Sequence, residues 1–115
     1  MLDGVDVSCF ASAHELWGHY ESRPVRFVIT DRRFAKEFDG LELVRRMRKH
    51  HQLPYTYILM RSRLSQLNQI RQGLEEGVDD YLIVPHNSFQ IRSRVLVGLR
   101  WLTYIDSLAR KGNAA

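Results

Sequence analysis

Residues 73–85 read GLEEGVDDYLIVP, and the fold turns on this stretch. Glu75 and Glu76 close a polar segment with helical spacing, Gly77 is the residue that ends such a helix, and Tyr81 to Val84 is a short β-forming run stopped by Pro85. Helix, tight stop and buried strand follow one another with almost no linker. Working backwards, Ser65 to Glu76 carries Leu67, Ile70, Arg71 and Leu74 on one helical face, and Tyr55 to Met60 (YTYILM) has the aromatic and aliphatic make-up of a buried strand after Pro54. Gly40 to His50 (GLELVRRMRKH) is a helix with Leu41, Val44, Met47 and Arg48 at helical spacing and basic residues in its last turn, where the dipole favours them. Val25 to Thr30 (VRFVIT) is a strand, and Ser12-Ala13-His14-Glu15 has the spacing of a capping box opening a helix to about Tyr20. Val5 to Phe10 alternates apolar with small polar residues and reads as a first strand, with Cys9 as a small buried residue in it. Forwards of Pro85, Asn87-Ser88-Phe89-Gln90 caps a long last helix to about Arg110, leaving 111–115 as a disordered tail to a single domain over 1–110.

Strands alternating with helices imply a parallel sheet with right-handed crossovers, because parallel neighbours cannot be joined by hairpins. Function in such sheets collects at the carboxyl ends of the strands. Here those ends are Thr30-Asp31, Met60-Arg61-Ser62 and Val84-Pro85.

The 115 residues are 44% apolar and 26% charged, the make-up of one globular domain. A two-domain enzyme with an interdomain cleft is thereby disfavoured. No apolar run approaches the roughly 18 residues of a membrane span, and the first residues do not resemble a secretory signal, so a cytoplasmic protein with no membrane partner is expected. A lone cysteine, Cys9, excludes an internal disulfide and fits a reducing compartment. The net charge is +4, and all of the 17 basic residues except Lys36, Lys49 and Lys111 are arginine. They scatter along the chain without a run of like charge, so solvated helix faces are favoured over a nucleic-acid surface. His14, His19 and His86 are isolated and His50-His51 sit at a helix end, so no metal spacing is present and no cofactor is expected.

Three segments, 27–40 (FVITDRRFAKEFDG), 57–62 and 73–85, resemble the receiver domain of two-component response regulators, over about Val5 to Leu99. The resemblance implies a flavodoxin-like parallel sheet. It places Asp31 at the phosphoacceptor position, Ser62 at the hydroxyl that senses the phosphoryl group, Tyr81 at the aromatic that moves with it, and Val84-Pro85 at a bond that is cis in the family. Asp39-Gly40 corresponds to the Asp-Gly pair that opens the following helix, with one extra residue in the loop. Two departures bear on chemistry. The family's first strand ends in an acidic pair that holds Mg²⁺, and no such segment precedes Val5; Asp3 and Asp6 are better read as N-terminal solvation. The family's lysine is replaced by Val84, whose apolar side chain cannot pair with a phosphoryl oxygen. Arg32, Arg33 and Arg61 lie beside Asp31 in sequence, placed to shield it or hold it in a salt bridge.

These departures imply a degenerate receiver that lacks the first β-α unit. It keeps about four strands in chain order and a long C-terminal helix, and it is not an enzyme. It is expected to signal through contacts with an unidentified signalling protein, independently of phosphorylation. The alternatives are an arginine-based cyclic-dinucleotide effector and a phosphorylatable regulator with Asp31 as acceptor. With one covering helix gone, the last helix has to cover a sheet face alone, and it is apolar around too much of its circumference for one core-facing side. A homodimer through Trp101, Leu102, Ile105 and Leu108 is therefore expected.

Overall fold

The computed structural model describes residues 8–23, 25–32, 39–50, 54–63 and 67–114. In chain order the elements are α1 (Ala13–Ser22), β1 (Phe27–Asp31), α2 (Gly40–Lys49), β2 (Tyr57–Arg63), α3 (Leu67–Glu76), β3 (Asp80–Val84) and α4 (Ser88–Ala114). Among the described residues the sheet has three strands in the order β1-β2-β3, with both pairs parallel. The β-α alternation, the parallel pairing and the chain order follow the sequence reading. The strand expected at Val5 to Phe10 does not: residues 8–10 are irregular, Cys9 is exposed, and residues 5–7 lie outside the described residues. β2 runs past its apolar composition to Arg63 because its ladder continues, Asp31 pairing with Arg61 and Ser62 with Ile83. α4 runs beyond the expected end at Arg110 to Ala114.

The starts of α1, α2 and α4 are satisfied locally, as their sequences require. Glu15 N donates to Ser12 Oγ, and the Glu15 carboxylate accepts from Ala11 N rather than from the cap residue itself. The Asn87 and Gln90 side chains accept from each other's backbone N–H, both at 2.9 Å, which closes the box at the start of α4. Asp39 Oδ1 caps α2 through Glu42 N. The next residue is glycine because α2 begins against the end of β1: Gly40 N donates to Arg32 O, and a Cβ there would collide with the Asp31 carbonyl.

Pleating sends alternate residues to opposite faces. On one face Val28, Ile58, Met60 and Tyr81 meet Leu16 and Tyr20 of α1 and Leu43, Val44 and Met47 of α2 in the larger core. On the other, Leu59 and Leu82 meet Val95, with Phe27, Ile91 and Leu99 partly buried around them. α4 is the helix that builds this second layer, and it crosses the sheet at close quarters. A Cβ on Gly98 would lie 2.7 Å from Tyr57 Cε1 and closer still to the Phe27 ring, the two rings being packed with centroids 5.1 Å apart. The crossing is pinned further along by Arg26, which pairs with Asp106 at 2.7 and 3.0 Å and also donates to Tyr55 O. Arg26 holds the Asp106 carboxyl below the usual range. Among the described residues no helix is long and apolar enough to cross a membrane.

At the amino ends of the strands, Arg48 ties three elements together. Its guanidinium donates to Thr56 O (2.9 Å), Gly77 O (2.7 Å) and the Asp79 carboxylate (3.0 Å), and it lies over the Tyr55 ring. Asp79 accepts in addition from Ile58 N at 2.7 Å and from the Tyr55 hydroxyl. Burial, and next the bond to Asp79, push the Tyr55 phenol well above its ordinary range.

Two stability predictions follow from this packing. Arg48→Ala strips a mostly buried carboxylate and two carbonyls of their donor, and is expected to lower unfolding free energy by about 3 kcal/mol in urea titration. Gly98→Ala is expected to cost about 1–3 kcal/mol through overpacking against Phe27 and Tyr57; an unchanged urea midpoint would show that α4 does not hold this close crossing.

Candidate functional site

The carboxyl ends of β1, β2 and β3 bring Asp31, Arg61, Ser62 and the Val84-Pro85 segment to one edge of the sheet. Asp31 is the last residue of β1, and the parallel register sets Arg61 beside it. Arg61 Nη1 lies 3.0 Å from Asp31 Oδ1, both side chains remaining substantially open to solvent (39% and 49%). On its other side, Arg61 Nε donates to His86 Nε2 at 3.2 Å. One guanidinium from the central strand therefore links the end of β1 to the turn after β3. The same alternation that places Arg61 on the Leu59 side of β2 sends Ser62 to the opposite side, where it is 4% exposed.

The other family positions do structural work. Tyr81 is 6% exposed within the larger core, its hydroxyl lodged where a Cβ on Gly73 would otherwise sit and making no hydrogen bond. Burial pushes this phenol up, against the opposing pull of Arg32. Val84 is half-buried, pairs with Arg63 in the ladder and precedes a cis bond to Pro85, so the family's lysine position presents no cation here. Asp39 is engaged as the α2 cap.

Of the three arginines placed near Asp31 by sequence, Arg61 makes the contact. Arg32 turns away to α3, donating to Gln69 O at 2.9 Å and to Gln72 Oε1 at 3.4 Å, while Arg33 lies outside the described residues. Mg²⁺ takes hard oxygen donors in near-octahedral array. Among the described residues no group of three or more His, Cys, Asp or Glu converges to hold a metal ion, and the Asp31 carboxylate faces a guanidinium. These residues do not fit a Mg²⁺ site. Asp3 and Asp6 lie outside the described residues.

The dimer residues expected on α4 divide. Trp101 and Leu108 are about half exposed, Ile105 is partly covered, and Leu102 is turned into the fold at 5% exposure, which removes it from any outer patch. The sequence reading counted Val97 and Tyr104 as surplus apolar surface of this helix but left them out of the expected interface; both are exposed beside Trp101, and the Trp101 and Tyr104 rings stack with centroids 5.6 Å apart. It also missed His86, whose role depends on a turn folding back beside β2. Reading 97, 101, 104 and 108 as one row at 4-3-4 spacing would have found the outer stripe.

Comparison with known proteins agrees with this architecture. The response regulator receiver domain family matches residues 2–96. A curated relative, the probable transcriptional regulator ycf27 of Porphyridium aerugineum, is 29% identical over 97 residues, which are 84% of this chain and 39% of that protein. The chain thus spans about two fifths of that relative's length. Among solved structures, the receiver domain of NtrX from Brucella abortus superposes with a TM-score of 0.76 at 19% identity, covering 85% of this chain and 81% of that one. A chain described as adenylate cyclase from Rhodopirellula baltica reaches 0.83 at 17% identity, covering 97% and 82%. At such identities these two likenesses speak for the fold alone. With the family matched over residues 2–96 and a parallel sheet in the order β1-β2-β3 among the described residues, the chain belongs to the response regulator receiver domain family.

Proposed function

We propose that this receiver domain is a non-catalytic signalling module that acts through protein contacts, independently of phosphorylation at Asp31. The Arg61–Asp31 ion pair carries this reading. Acyl-phosphate formation on a carboxylate requires neutralisation of the transferring group's oxygens while the carboxylate stays free to attack. Here a guanidinium already occupies an acceptor oxygen, and Val84 supplies no cation.

The contacts are assigned in the first place to a second copy through α4. Val97, Trp101, Tyr104 and Leu108 recur at the spacing of a two-helix seam and are all about half exposed. α4 is also long: 27 residues give about 40 Å, whereas a five-residue strand gives about 17 Å, so part of the helix extends past the sheet it covers. Ycf27-like transcriptional regulation and attachment to an output domain are compatible with such a helix.

Incubation with acetyl phosphate and Mg²⁺ followed by intact-mass measurement is expected to show no added phosphoryl group. A substantial phosphorylated fraction would instead establish Asp31 as an acceptor and return the chain to phosphorylation-driven regulation. Asp31→Asn should change unfolding free energy by less than about 1 kcal/mol, since the pair is solvent-screened. Sedimentation at micromolar concentration should show a dimer that Trp101→Glu with Tyr104→Glu converts to monomer; a clean monomer for the unaltered chain excludes the α4 seam.

A further inference from the structure

The helices over the larger core are held there by different means. α2 buries Leu41, Leu43, Val44 and Met47, and α1 buries Ala13, Leu16 and Tyr20. Of the ten residues of α3, Gly73 alone is fully buried, and a glycine brings no side chain to the core. Ile70 is partly buried against that core, whereas Leu67 and Leu74 are 65% and 49% exposed. What Gly73 meets is the Tyr81 hydroxyl, which has no hydrogen-bond partner there. A helix that buries so little apolar surface gains correspondingly little from burial.

Arginines anchored on other elements hold α3 in place. Arg32 directly follows β1, and the pleat turns its side chain to the face opposite that of Asp31, toward α3. Its backbone is fixed twice, the N–H donating to Arg61 O at 3.2 Å and the carbonyl accepting from Gly40 N at 2.8 Å. Its guanidinium then reaches across to Gln69 O at 2.9 Å and to Gln72 Oε1 at 3.4 Å, so that one prong holds the helix backbone and the other a side chain about a turn later. At the far end of α3, Arg45 of α2 pairs with Glu76 at 3.2 Å, and Arg48 of α2 donates to Gly77 O at 2.7 Å. Guanidinium groups thus fasten both ends of the helix, while its middle rests on Gly73 and Ile70. Arg45 and Glu76 are 37% and 36% exposed, so this strap competes with water and salt in a way that the apolar grip on α2 does not.

We infer that α3 is a strapped helix, one that leaves the sheet as a unit while the rest of the domain stays folded, with Arg32 as the latch on its amino half. Release uncovers Ile70, Val78 and Tyr81, and it gives the Tyr81 hydroxyl water as a partner. The inference goes beyond the contact-signalling reading and depends neither on the state of Asp31 nor on the α4 seam.

Amide hydrogen exchange on the full chain tests it. In the unaltered protein the amides of α3 are expected to exchange about tenfold or more faster than those of α2. Raising the salt from about 0.05 to about 0.5 M should widen that gap about twofold or more, by screening the Arg45–Glu76 pair. Arg32→Ala should speed α3 by about tenfold again and leave α2 unchanged, and Arg32→Lys, which keeps the charge without the fork, should fall between the two. Arg71→Ala, which removes a side chain paired with Glu75 within α3 itself, should move the helix by less than about twofold. Equal exchange of α2 and α3 in the unaltered chain would overturn the inference without any variant having to fold. So would an Arg32→Ala effect no larger than that of Arg71→Ala, or one that speeds α2 and α3 by the same factor.

Discussion

A parallel sheet must be covered on both faces, and among the described residues α4 is the helix that covers one of them. That constraint shapes the second layer of the molecule. The helix has to approach the sheet closely, and it does so where Gly98 meets the Phe27 and Tyr57 rings. Its angle is fixed by Arg26, in a two-pronged pair with Asp106. The opposite face differs in kind. Three helices, α1, α2 and α3, meet the sheet there, and the larger core, with Leu43, Val44, Ile58 and Met60 fully buried, lies on that side. The strands are shared, so β2, buried along most of its length, transmits the position of one layer to the other.

The two ends of the sheet carry different electrostatic tasks. At the amino end, Arg48 and Asp79 are mostly buried and hydrogen-bonded on nearly every side, as a charge pair withdrawn from water requires. This end is mechanical: it ties α2, the start of β2 and the α3–β3 turn. At the carboxyl end, Arg61 bridges Asp31 and His86 in the open, where water shares the load and the pair adds little to stability. That bridge sets a guanidinium directly beside the carboxylate an approaching group would meet at Asp31.

Much of this was legible in the residues. The alternation of apolar runs and capped helical segments gave element type and order, because the periods of 2.0 and 3.6 are local properties. The caps Ser12 and Asn87 were readable for the same reason, each bonding within three residues of itself, whereas Asp39 at the start of α2 came through the resemblance to receivers. Asp31, Ser62 and Tyr81 were found as positions, through the resemblance to receivers, and not as a working set. The strand expected up to Phe10 failed in its described part because alternation is a weak signal over six residues when the partner strand is unknown. Leu102 was misplaced outward because a helix that is apolar on several sides does not announce which side faces the core.

By itself, then, the sequence determined the β-α order, the parallel class of the sheet and the helix boundaries within a few residues. All of these depend on side-chain identity and on near neighbours along the chain. Tertiary structure alone decided that Arg61, and not Arg32, takes Asp31, that His86 joins them, that Arg48 finds Asp79 across the molecule, and that α4 leaves Ile29 uncovered. The physical reason is common to all four. Each depends on strand register or on a helix crossing angle, and these are set by how whole layers pack rather than by any one segment.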